Sequence, residues 1–199
     1  MEDRKMKPIL FNTEMVRAIL DGSKTQTRRP IKWDISNNFD IDADGSAVAY
    51  INPETGDSYA PTEACKYQKG DTLWVRETWQ TGYNPDNMGE DGNIPLGYCY
   101  RASGDNISSE FSLGKWRPSI HMPKKAARIF LQVANIRVER LQEIKYLDLV
   151  AEGVSYEHSE CDLRERFEDI WDSIYYNPYK MEYIWDCNPW VFVIEFKRK

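Results

Sequence analysis

Lys24, Thr25, Thr27, Arg28 and Arg29 fall within the single run Asp21-Gly22-Ser23-Lys24-Thr25-Gln26-Thr27-Arg28-Arg29. These side chains offer an amine of tunable proton affinity, hydroxyls able to act as nucleophiles, and guanidinium groups that bind anions. Read alone, the cluster is only a solvated basic turn. Arg76 and Glu77 sit beside Trp74 and Trp79. That pattern suits a pocket wall in which Glu77 pairs with Lys24 or Arg28, and it suits a plain structural ion pair as well. Glu152 stands just before Gly153, where a helix is expected to stop; its ordinary reading is a solvated helix residue. His121, between Ile120 and Met122-Pro123, reads as a hydrogen-bonded core histidine or an acid–base group.

The elements that must carry these groups are legible in outline. Ile9-Leu10-Phe11 reads as a short buried strand. Asn12 or Thr13 can cap a following helix, because their side-chain oxygens accept from its free N–H groups. Met15 with Ile19, and Val16 with Leu20, are i,i+4 apolar pairs, and Gly22 suits the position past the helix end. Strands are expected at Leu73 to Trp79, Tyr98 to Arg101, Ile129 to Val133, Ile136 to Val138 and Trp190 to Phe196. The last is apolar on both faces, as in a central or closing strand. Helices are expected over Ile144 to Glu152 and along the stripe Leu163, Phe167, Ile170 and Trp171. Regular alternation sends Lys24 and Thr27 to opposite faces, so they meet only if the segment is irregular. The aromatic run Trp171, Tyr175, Tyr176, Tyr179, Tyr183, Trp185 and Trp190 fills core or offers a platform for stacking bases.

In order, the pieces Met15 to Leu20, Gly22-Ser23-Lys24-Thr25-Gln26-Thr27-Arg28-Arg29, Lys69-Gly70-Asp71-Thr72-Leu73-Trp74-Val75, Asp148-Leu149-Val150-Ala151-Glu152-Gly153-Val154 and Trp190 to Phe196 resemble the ASCH-domain family. That family is a branch of the PUA-like β-barrels. Val75-Arg76-Glu77-Thr78-Trp79 and Trp116-Arg117-Pro118-Ser119-Ile120-His121-Met122-Pro123 resemble its larger phage and prophage members. The resemblance implies an α+β fold: a PUA-like mixed β-barrel with flanking helices, as one domain over 1–199. Peripheral loop insertions are expected at about 31–67, 80–96, 102–115 and 172–189, with Ala47 to Ile51 a candidate strand inside the first.

Family members of this pattern include amidohydrolases that deacetylate N4-acetylcytidine, and their catalytic lysine, threonine and glutamate fall on Lys24, Thr27 and Glu152. The resemblance thus implies a hydrolase of a modified nucleoside or base. Lys24 is the base if burial or Arg28 and Arg29 lower its pKa. Thr27 is the nucleophile or holds the attacking water. Glu152 protonates the exocyclic nitrogen or orients the base ring. Thr25, Arg28, Arg29, Arg76, Glu77 and Trp79 are expected to bind substrate. The alternatives are an RNA or modified-base reader without catalysis, and a ribonuclease.

Composition narrows the partners. With 26 basic against 32 acidic residues the net charge is −6, which argues against broad phosphate-driven nucleic-acid binding. The expected partner is a modified nucleoside or single-stranded RNA, with no membrane and no required protein partner. The N-terminus shows no apolar signal region and no apolar run nears ~20 residues, so the expected location is cytoplasmic, the host bacterial cytoplasm if phage-encoded. Cys65, Cys99, Cys161 and Cys187 lie far apart and, with His121 and His158, show no zinc-ligand spacing; no metal and no other cofactor is expected.

Overall fold

The computed structural model describes residues 6–83, 96–104, 114–154, 160–179 and 181–199. Its first elements are β1 (Lys7–Leu10), α1 (Thr13–Asp21), β2 (Gln26–Pro30), α2 (Trp33–Ser36), β3 (Phe39–Ile41), β4 (Ala47–Ile51) and β5 (Ser58–Tyr59). They are followed by β6 (Thr72–Arg76), β7 (Trp79–Tyr83), β8 (Leu96–Tyr100), β9 (Phe130–Arg140), α3 (Tyr146–Ala151), α4 (Glu160–Tyr175) and β10 (Trp190–Arg198). The fold is mixed α+β with several sheets, and among the described residues no ladder closes into a ring. No described helix is long and apolar enough to cross a membrane.

The chain forms two compact units. One comprises Met1–Gly22, Thr72–Gln132 and Arg198–Lys199. Here β1 runs parallel to β6, with Ile9 opposite Val75, and β6 pairs antiparallel with the start of β9. Asn12 caps α1 by accepting from the Met15 N–H at 2.8 Å, and Gly22 ends the helix at φ 88°. β7 and β8 pair antiparallel, and Trp79, Met122 and Ala126 pack with Tyr98 and Tyr100. Glu77 lies between β6 and β7, not inside one strand as the sequence suggested.

The other unit comprises Ser23–Asp71 and Val133–Lys197. β10 lies between β9 and β2, the central place its two apolar faces call for. Val191 and Val193 on one face pack with Leu149 of α3 and with Leu163, Phe167 and Trp171 of α4. The expected helical stripe is therefore core, with Ile170 packed against it. Glu152 follows the last turn of α3, and Gly153 leaves at φ 79°.

Several boundaries differ from expectation. β9 is one strand of 11 residues; Ala134 and Asn135 do not interrupt it, because the ladder continues past them. Segment 31–67 carries the candidate strand Ala47–Ile51 as β4, within a small antiparallel sheet β3-β4-β5, and adds the short helix α2. The loop expected over 80–96 begins as β7 and ends at β8, so both its ends are strand. Its interior, most of 102–115, and His158 lie outside the described residues. In 172–189, α4 continues to Tyr175 and short 3-10 turns follow at Met181–Tyr183 and Trp185–Cys187.

Candidate functional site

Lys24 and Glu152 meet across a single β-bridge. The Thr25 N–H donates to the Ala151 carbonyl at 2.8 Å, and the Thr25 carbonyl accepts from the Phe196 N–H at 2.9 Å. In a regular strand both groups of one residue point to the same neighbour; here they point to different ones, so the chain is irregular at Thr25. That irregularity joins the end of α3 to the β2–β10 ladder. Lys24 is 2% exposed, and its Nζ donates to the Glu152 carbonyl at 2.7 Å and to Oε2 at 2.8 Å.

From Gln26 the strand is regular. Gln26 and Arg28 pair with Glu195 and Val193, so their side chains share the face covered by α3. Gln26 Nε2 reaches the Asp148 carbonyl and Oδ1, both at 3.1 Å. Arg28 NH1 donates to Glu152 Oε1 at 3.0 Å, its NH2 stands 3.3 Å from Asp148 Oδ2, and Nε and NH2 both donate to Glu139 Oε1. Arg137 extends the chain of ion pairs to Glu139 at 3.0 Å, Asp148 at 3.0 Å and Glu195 at 2.5 Å. The network runs from wholly buried side chains at Lys24 and Arg28 to Glu195, whose side chain is 38% exposed.

Burial lowers the Lys24 pKa below its ordinary 10.5, and Arg29 and Arg28 push the same way; the charge and hydrogen bond of Glu152 oppose them without prevailing. Partial burial pushes Asp148 up, but the Arg28 charge, the Gln26 hydrogen bond and Arg137 together carry it below the ordinary carboxylate value. Arg137 is raised: burial opposes its charge, but the hydrogen bond and charge of Glu139, with Asp148 and Glu195, outweigh it. An amine that binds its proton less tightly, held against a carboxylate, is the arrangement proton transfer requires.

The structure brings Lys24, Arg28 and Glu152 together and does not bring Thr27 to them. Thr27 lies between Gln26 and Arg28, opposite Ile194 on the other face of β2, so its hydroxyl leaves away from the carboxylates. Thr25 is exposed, and Arg29 donates to the Tyr175 hydroxyl at 3.4 Å. Glu77 does not take Lys24 or Arg28 as partner. Arg128 grips both its oxygens, at 2.8 and 2.9 Å, while stacking 4.0 Å from the Tyr100 ring. Arg76 donates to the Ile120 carbonyl, and Trp79 is buried under the Arg117 guanidinium at 5.1 Å. Arg76 Nε and Trp79 Nε1 are buried without a hydrogen-bond partner. His121 is exposed on a 3-10 turn, not a core histidine.

Sequence reasoning missed Glu139, Arg137, Gln26 and the ionic role of Asp148. The signal was present: Arg137 and Glu139 alternate on one strand face, and Asp148 and Glu152 stand four apart on one helix face. Among the described residues no group of three or more His, Cys, Asp or Glu is placed to hold a metal ion. In comparisons with known proteins, the chain matches no family model, no curated protein and no solved structure.

Proposed function

We propose that this chain is a hydrolase of the ASCH, PUA-like type that cleaves an amide at an exocyclic nitrogen of a modified nucleoside or base, as in N4-acetylcytidine. One observation carries the reading: a buried lysine of lowered pKa in contact with one carboxylate, at the two motif positions that stand far apart in sequence. Water is the nucleophile, because Thr27 faces away. The neutral Lys24 amine takes a proton as water adds to the acyl carbon. The carbon–nitrogen bond then breaks, and that proton passes to the departing exocyclic nitrogen, leaving the free amine and a carboxylic acid. Glu152 stabilises the transient ammonium, and Arg28 holds Glu152 in place through Oε1.

A second reading, a binder of a modified base without chemistry, takes the complete burial of the Lys24 and Arg28 side chains and the use of both on Glu152 as a structural ion-pair network that withholds them from a reacting group. Incubation of the purified protein with N4-acetylcytidine separates the two. The hydrolase reading expects cytidine and acetate in equal amounts. Saturable binding of acetylated RNA with no acetate released supports the reader, and backbone cleavage of the RNA supports a ribonuclease.

A further inference from the structure

A second site lies at the other end of β2. A cavity of about 280 Å³ opens there, walled by Ile31, Trp33, Arg140, Glu182, Tyr183 and Trp190. Its volume is near the lower end of the range for small-ligand sites, which suits one flat heterocycle better than a long chain. Trp33 is 61% exposed, an uncommon position for the largest aromatic side chain, and its backbone N–H donates to the Tyr183 hydroxyl at 3.3 Å. Arg140 is laid flat over Trp190, 4.3 Å from the ring, and is tied to the Asn188 carbonyl at 3.2 Å. Trp190 is itself fixed by the edge of Phe39, with ring centroids 5.8 Å apart. Arg140 and Trp190 are therefore held in place, and the exposed Trp33 ring beside them offers the kind of aromatic surface on which bases stack.

The polar groups in the wall restrict which base fits. Glu182 offers a carboxylate, an acceptor only, and Arg140 offers donors only. Guanine presents the complementary edge: N1–H and the 2-amino group to a carboxylate, and O6 to a guanidinium. Adenine and cytosine each present a single amino donor beside ring acceptors, which a carboxylate repels. We propose that this cavity is a guanine-binding pocket, stacking the base on Trp33 and reading its edge with Glu182 and with the Arg140 guanidinium held over Trp190. The seven steps of chain from Lys24 to Ile31 span on the order of 20 Å when extended, so the pocket is distinct from the Lys24–Glu152 pair.

Calorimetric titration of the full chain with guanosine, inosine, adenosine and the single-stranded pentamer UUGUU tests this. Guanosine should bind saturably, and inosine, which lacks the 2-amino group, about tenfold more weakly. Trp33→Ala, at an exposed position that leaves the core intact, should weaken guanosine by about tenfold or more, the scale of one lost stack. Glu182→Gln should erase the preference for guanosine over inosine. Tighter binding of UUGUU than of guanosine assigns the pocket to a guanine within a strand; equal binding assigns it to the free nucleoside. Absence of saturable binding of both guanosine and UUGUU, equal affinity for adenosine and guanosine, or an undiminished affinity in Trp33→Ala overturns the proposal.

Discussion

At Lys24 two effects compete for one proton. Burial disfavours the ammonium, while the Glu152 carboxylate favours it, and burial prevails. The sign of the stability effect follows. Between the folded pKa and 10.5 the unfolded chain binds the proton that the folded chain releases, so stability rises with pH across that window. Urea unfolding of the wild type and Lys24→Met should therefore show the wild type gaining relative stability as pH is raised toward 10.5. A difference that stays constant, or shrinks, contradicts the lowered pKa. Glu152→Ala removes the shared partner of the buried Arg28 guanidinium and the buried Lys24 amine and should cost about 3–5 kcal/mol, whereas Glu152→Gln, which keeps acceptor and shape, should cost less. The Lys24–Glu152 contact was expected only through the family resemblance, since no local pattern links residues so far apart in sequence. The pairing of Glu77 with Arg128 was not expected, since their union too depends on the tertiary fold. Thr27 shows the opposite case: period-two alternation sends it to the face opposite Lys24, whereas the resemblance implied one pocket for both.

Among the elements, α1 and α4 were the clearest in sequence because local physics suffices for them. α1 has a cap at Asn12, i,i+4 apolar pairs and a left-handed exit at Gly22. Gly22→Ala meets no atom within 4 Å, so its cost is backbone strain alone, about 1 kcal/mol. On α4 the buried Phe167 carries the packing and the exposed Ile174 does not. Phe167→Ala should lower unfolding free energy by about 3–5 kcal/mol and Ile174→Ala by about 0.5 kcal/mol or less. Comparable losses at the two positions would contradict the assignment of the buried face. The strands were less legible. Ala134-Asn135 reads as a break in β9, yet pairing carries the strand through it. β3 and β5 are short and largely exposed, so no apolar alternation announces them.

For the whole molecule, the acidic net charge of −6 and the inward placement of Lys24 and Arg28 favour a small ligand over a long polyanion. The resemblance and the strand and helix signals along the chain conveyed the α+β class, while the way strands associate depends on contacts distant in sequence, which residue patterns do not encode. On the proposed function, Lys24 transfers the proton in amide hydrolysis. The direct measurement of that role is the pH–rate profile of cytidine release from N4-acetylcytidine, corrected for the spontaneous reaction, in the wild type and in Lys24→Met of verified fold. The wild-type rate should rise with pH through a midpoint below 10.5, and Lys24→Met should lose about a hundredfold or more together with that limb. Equal rates and the same pH dependence in both proteins would contradict that role.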